Sequence, residues 1–236
     1  MRHRVDKHLD RLGGLLLPPR CVLCGSRGQF PCLDLCRACE QSLPSAQPVI
    51  ADGPVPLQQS VAAFGYGHPV DHLVHALKYR GHLAVARVLG TLLGRCIDSF
   101  GLDRGIDAVI PVPLHPSRHA ERSFNQSAEI ARWAARCLQC RVDPTLAIRC
   151  RDTRPQVGLP REQRHGNLAG AFAAAPAVRG LRVAVVDDVT TTGNTVRELG
   201  QALRDAGALS VAAWCVCRAP LPEQVDLARD SEVEQA

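Results

Sequence analysis

The sequence predicts an α/β protein built on a mainly parallel sheet, since strand-length apolar runs alternate with stretches of helical periodicity. Two further observations refine this. Cysteines in knuckle pairs crowd into residues 21–39, apart from the α/β pattern, and an acid- and threonine-rich run at 187–195 follows one of the apolar runs.

The elements follow in chain order. Val5, Leu9, Leu12 and Leu16 recur at spacings of four, three and four, which predicts an amphipathic helix ended by Pro18-Pro19. The cysteine segment comes next, and prolines at 44, 48, 54 and 56 then mark a linker without periodicity. From residue 60 the pattern alternates. Residues 61–66 read as a short strand. Val70, Leu73, Val74 and Leu77 line one helix face, and 83–96 gives a second helix. Residues 106–112 form an apolar run of the buried-strand kind. Residues 125–138 are helical with Ile130, Trp133, Ala134 and Cys137 on one side. A second buried strand spans 182–186. A helix over 195–206 turns Val196, Leu199 and Leu203 inward and stops at Gly207, and 210–217 closes as a strand. The expected division is 1–44 for the helix and cysteine segment, 45–59 for the linker, 60–220 for the α/β domain and 221–236 for an acidic, disordered tail.

Composition narrows the class. Hydrophobic residues make up 46% of the 236-residue chain, but no run approaches the roughly 18 apolar residues of a membrane span. The apolar run Leu15-Leu16-Leu17 is too short for a signal-peptide core, so the expectation is an unexported cytoplasmic protein without membrane insertion. The formal charge of +5 is uneven: residues 116–165 hold ten arginines against five acids, which suits a phosphate-rich partner. Only two of the 28 cationic residues are lysines (Lys7 and Lys78), and asparagine occurs only at 125, 167 and 194. This bias resembles translation from GC-rich DNA, so the surviving lysines and asparagines draw attention as chemically required.

The run Asp187-Asp188-Val189-Thr190-Thr191-Thr192-Gly193-Asn194-Thr195 carries the strongest chemical signal. It sits between a buried strand and a helix, at the sheet edge where α/β proteins bind ligands. A helix N-terminus offers free N–H groups to a phosphate, Gly193 allows close approach, and threonine hydroxyls add donors without charge. The carboxylates of Asp187 and Asp188 would repel phosphate and suit ribose hydroxyls or Mg²⁺. Together they describe a site for a ribose 5-phosphate. Helix capping alone needs one such residue, whereas here six of nine are Asp or Thr.

Cys21-x-x-Cys24 and Cys36-x-x-Cys39, eleven residues apart, match a structural four-thiolate Zn²⁺ site. Cys32 is an extra thiol and leaves open a ligand set in which it replaces a neighbour.

The acid–threonine run resembles the phosphoribosyl-pyrophosphate (PRPP) motif of type I phosphoribosyltransferases. More narrowly, the chain resembles the ComF family of bacterial competence-associated proteins. The matching pieces are the cysteine pairs, Leu77-Lys78-Tyr79-Arg80-Gly81, Val112-Pro113-Leu114-His115-Pro116, Arg122-Ser123-Phe124-Asn125-Gln126, Thr153-Arg154-Pro155-Gln156, Asn167-Leu168-Ala169-Gly170-Ala171-Phe172 and the PRPP motif. The resemblance implies a type I phosphoribosyltransferase fold with an N-terminal zinc ribbon, and it puts Pro113, Leu114 and His115 in the place of the pyrophosphate loop. Lys78 and Arg80, just past a helix on a Gly-terminated turn, are candidate phosphate-binding cations. Arg122 is another, and residues 154–164 read as an arginine-rich lid.

Two functions follow. In the first, PRPP binds with Mg²⁺, Asp187 and Asp188 act as catalytic carboxylates on the ribose, and pyrophosphate leaves; no motif names the acceptor. In the second, the site is a non-catalytic PRPP sensor or a module for 5′-phosphorylated single-stranded DNA. The family resemblance implies a link to competence machinery. With nine aromatic residues in the chain, any DNA contact is expected to be mainly electrostatic.

Overall fold

The computed structural model describes residues 18–44, 49–52, 56–115, 124–151 and 170–220. In chain order its strands are β1 (Val49–Asp52), β2 (Gln59–Gly65), β3 (Ala108–Pro111), β4 (Ala147–Arg149), β5 (Phe172–Ala174), β6 (Arg182–Thr190) and β7 (Ser210–Arg218). The α-helices are α1 (Arg37–Gln41), α2 (Val70–Arg80), α3 (Leu83–Ser99), α4 (Gln126–Leu138) and α5 (Asn194–Asp205). Five strands form the main sheet in the order β1-β2-β7-β6-β3, parallel throughout except for β1 against β2. β4 and β5 make a separate antiparallel pair.

The strand alternation generates both layers. In β6, Ala184 and Val186 enter a core shared with α2, α3 and α4, whereas Val183 and Val185 enter one shared with Val196, Leu199 and Leu203 of α5. A strand buried on both faces reads as a continuous apolar run, which is why it was legible in the sequence. The chain leaves β3 for α4 on one face of the sheet and leaves the neighbouring β6 for α5 on the other. Such a change of face opens a crevice at the C-terminal strand ends.

α3 and α4 approach closely through glycine. A Cβ at Gly90 would stand 2.5 Å from the Ile130 carbonyl oxygen, and one at Gly94 would stand 2.8 Å from Cys137 Cβ. This fixes α4, and with it the Asn125–Ser127 turn, beside β3 and β6.

Three expectations change. The 45–59 segment contributes the edge strand β1, with Val49 opposite Ala62; the flanking prolines hid it, yet an edge strand tolerates them. β6 continues four residues past Val186, so both acids lie inside the strand. α3 runs on to Ser99. The helix expected over 5–16 and the acidic tail 221–236 fall outside the described residues. Among the described residues no helix is long and apolar enough to cross a membrane.

The cysteine segment packs directly on α3. Leu33, Leu35 and Leu43 are buried in the same core as α2 and α3. Arg87 Nε donates to Asp34 Oδ2 at 2.7 Å, and Arg95 Nη1 lies 3.1 Å from Glu40 Oε1. Gln29 Nε2 adds bonds to Glu40 Oε2 (2.6 Å) and to the Leu35 carbonyl (3.1 Å).

Candidate functional site

The site lies at the C-terminal edge of the sheet. Asp187 pairs with Cys215, Val189 with Cys217 and Thr190 with Arg218, so the backbone carrying the acids is held as sheet rather than loop. Asp188 is buried, and its Oδ2 forms an ion pair at 3.1 Å with Nζ of Lys78, which reaches in from the last turn of α2. Asp187 is partly buried; its Oδ1 accepts from Ser127 Oγ at 3.0 Å and from the Asp188 amide at 2.9 Å. Lost solvation and the neighbouring Asp188 charge together push the Asp187 carboxyl up to about 7.

The turn after β6 is built to receive an acceptor-rich group. Gly193 adopts φ +76°, a left-handed conformation that disfavours a side chain, and stands as N-cap of α5. It supplies no side-chain cap, so the first-turn amides of α5 face outward without one. Thr192 Oγ1 and Asn194 Nδ2 are buried and have no hydrogen-bond partner among the described residues. Buried polar atoms of a folded protein are nearly always satisfied, so these two, on either side of Gly193, are donors open to a ligand. Thr190 is buried, while Thr191 and Thr195 are half-buried along the same turn.

The second wall comes from β3 and α4. Val112 N donates to the Val186 carbonyl at 2.9 Å. Asn125 Nδ2 donates to the Val112 carbonyl at 3.0 Å, while its Oδ1 caps α4 by accepting from the Ser127 and Ala128 amides. The rare asparagine at 125 therefore ties the start of the Pro113-Leu114-His115 segment to the helix that carries Ser127. Lys78 and Arg80 occupy the last turn of α2 rather than positions past it; the stop is Gly81, at φ +62°. Arg122 and residues 154–164 fall outside the described residues.

Sequence reasoning did not single out Ser127, Tyr66 or Arg218. Ser127 is inconspicuous in a helical run and gains meaning only from α4 packing beside β6. Tyr66 is exposed just past β2, and partial desolvation outweighs the nearby Lys78 charge to raise its phenol above the ordinary value. Arg218 ends β7 as the register partner of Thr190.

The four sulfur atoms of Cys21, Cys24, Cys36 and Cys39 lie within 4.8 Å of one another. Tetrahedral thiolate coordination has sulfurs about 3.8 Å apart around Zn–S bonds of about 2.3 Å, so the set can hold a metal such as zinc with every position filled by protein. The Cys36 sulfur also accepts from the Cys39 amide at 3.4 Å. Cys32 is not in this group.

A parallel sheet ending in paired carboxylates and a hydroxyl-rich turn into a helix is the arrangement of the type I phosphoribosyltransferase domain, and a family model described as the phosphoribosyl transferase domain matches residues 125–235. The chain belongs to the ComF family. It is 36% identical over 206 residues to the DNA utilization protein YhgH of Salmonella typhimurium, covering 84% of this chain and 89% of that one. It is 29% identical over 207 residues to competence protein F of Haemophilus influenzae, covering 85% of each. Among solved structures it is similar to the glutamine PRPP amidotransferase from B. subtilis complexed with ADP and GMP, with TM-score 0.37 and 24% identity over 54% of this chain and 25% of that chain.

Proposed function

We propose that this chain binds PRPP, or another ribose 5-phosphate, as a phosphoribosyltransferase-like protein that serves DNA uptake or the use of imported DNA in the cytoplasm. The observation that carries the reading is the pair of buried, unpartnered polar atoms, Thr192 Oγ1 and Asn194 Nδ2, on either side of Gly193 at the start of α5. A 5-phosphate at this turn would accept from both, and from the first-turn amides. The ribose would then lie over Asp187 and Asp188, whose oxygens accept from its hydroxyls.

In the enzymatic form of the reading, a nucleophile attacks C1 of the ribose as the bond to pyrophosphate breaks. The two carboxylates stabilise positive charge developing on the ring, and Ser127 orients Asp187. The leaving pyrophosphate would face the Pro113-Leu114-His115 segment, with Lys78, Arg80 and Arg122 as the candidate cations. The buried Asp188 Oδ2, which makes an ion pair but no aligned hydrogen bond, and the all-oxygen donor set of the two acids suit a hard cation. Mg²⁺ arriving with PRPP would neutralise phosphate charge. Zinc at the four cysteines would be structural, since a metal enclosed by four protein ligands has no open position for substrate.

The curated relatives are named for DNA utilization and competence, which supports a second reading. In it the same turn senses PRPP or anchors the 5′-phosphate of a single DNA strand without catalysis.

Calorimetric titration with PRPP and Mg²⁺, with pyrophosphate release measured on the same samples, separates the two. Binding abolished by Asp187→Ala/Asp188→Ala, with release stimulated by an acceptor, is the enzymatic outcome. Binding without release supports the second reading, and an absence of binding refutes the enzymatic and PRPP-sensor readings.

A further inference from the structure

We propose that Arg218 supplies the positive charge that holds the phosphomonoester of the ligand. The inference rests on the ribose 5-phosphate reading and adds a residue that neither the acid–threonine motif nor the expected cations include.

The turn itself is uncharged. Its donors are threonine hydroxyls, an amide and backbone N–H groups, and two carboxylates lie immediately upstream. A phosphomonoester carries between one and two negative charges at neutral pH. Lys78 is engaged with Asp188, and Arg197 Nη2 donates to Asn194 Oδ1 at 3.2 Å. Arg218 differs. Its Nε is buried and has no hydrogen-bond partner, and it makes no ion pair among the described residues.

Its position is also fixed. The Tyr66 amide donates to the Arg218 carbonyl at 2.8 Å, and the following Ala219 amide donates to the Thr190 carbonyl at 2.8 Å. Gly65, Arg218 and Thr190 are consecutive register partners across β2, β7 and β6. Register partners project to the same side of a sheet, with strands about 4.8 Å apart, so Arg218 stands on the side of Thr190 within side-chain reach of the turn. Thr190 Oγ1 is 3.9 Å from where a Gly193 Cβ would be. On the other flank a Cβ at Gly65 would meet nothing within 4 Å, so the row opens into space beside Arg218. An arginine at this register position, beside open volume and a turn of neutral donors, suits the forked recognition of phosphate oxygens.

The phosphomonoester could come from a sugar phosphate or from the 5′ end of a DNA strand. The test measures binding of ribose 5-phosphate, of a 5′-phosphorylated single-stranded oligonucleotide and of the same oligonucleotide with a 5′-hydroxyl, for the wild type, Arg218→Gln and Arg218→Lys. Loss of a charge-assisted fork predicts at least about 10-fold weaker binding of the phosphorylated probes to Arg218→Gln, an intermediate effect for Arg218→Lys and no change for the 5′-hydroxyl strand. Whichever phosphorylated probe shows the loss identifies the source. An unchanged thermal melt excludes a folding defect; should Arg218→Gln melt early, Arg218→Lys decides, by weakening the phosphorylated probes while leaving the 5′-hydroxyl strand alone. Wild-type binding that the variants retain within two-fold overturns the assignment of Arg218 and leaves the ribose 5-phosphate reading intact. A wild type that binds neither phosphorylated probe overturns both.

Discussion

Lys78 Nζ lies 3.1 Å from Asp188 Oδ2, joining one of two lysines in the chain to the second acid of the acid–threonine run. The carboxylate side chain is 6% exposed and the lysine 23%. The pair is thus formed mostly away from water, and removing one partner leaves a charge that burial penalises. Lys78 therefore balances the charge of the buried acid in the unliganded site.

Lys78→Met should destabilise the fold by about 1–3 kcal/mol, less than for a fully buried pair because the lysine keeps some solvent. Urea denaturation checks the figure. Asp188→Asn paired with Lys78→Met should recover part of the loss, since neither charge then stands alone. If Lys78→Met were neutral, the ion pair would be incidental.

Asp187 gives a pH dependence of defined sign. Its carboxyl is raised to about 7, above an unfolded-state value near 3.9. The folded state therefore holds a proton that the unfolded chain has released, and this stabilisation is complete below about pH 4 and lost as pH rises to about 7. Asp187→Asn should remove that component, so the stability difference between wild type and variant should change between pH 4 and 7 and level off above it. Ligand binding that needs the ionised carboxylate should release a proton near neutrality, which titrations in buffers of different ionisation enthalpy detect.

Gly90 tests how the site is braced. Gly90→Ala would put a methyl 2.5 Å from the Ile130 carbonyl and 2.7 Å from Trp133 Cβ. α3 and α4 must then separate, at a cost of about 1–3 kcal/mol as in other overpacked cores. Because α4 carries Ser127 and its Asn125 cap, ligand affinity should fall along with stability. Gly65→Ala, which meets nothing within 4 Å, is the control and should leave stability nearly unchanged.

How much of this was legible follows from where the signal is local. β3, β6, β7 and α5 could be read because buried strands are continuous apolar runs and α5 has an apolar face and a glycine stop. The acid–threonine turn was legible because its chemistry is contiguous. β1 was hidden by prolines, and only its pairing with β2 makes it a strand. The end of β6 was misplaced because acids look like a strand terminus, whereas pairing with β7 carries the strand through Thr190. Ser127 reaches Asp187 from another element, 60 residues away in the chain, and Arg218 meets Thr190 only through strand register, so no local pattern discloses either.

The cysteine segment makes the most demanding prediction, because its metal should support the fold beyond the segment itself. Leu33, Leu35 and Leu43 complete a core shared with α2 and α3, and Asp34 and Glu40 pair with Arg87 and Arg95 on α3. A segment of this size cannot hold that surface in place without its metal. Cys24→Ser or Cys39→Ser should abolish one bound zinc per chain, measured by elemental analysis. Either should also lower the melting temperature of the whole chain by several degrees, since about 1 kcal/mol corresponds to about 2–4 °C in a domain of 150–250 residues. Cys32→Ser should keep the metal, because its sulfur is outside the four-sulfur group. Zinc lost with Cys32→Ser, or a melting temperature indifferent to Cys39→Ser, would show that the segment closes around a different ligand set or rests on the helices without supporting them.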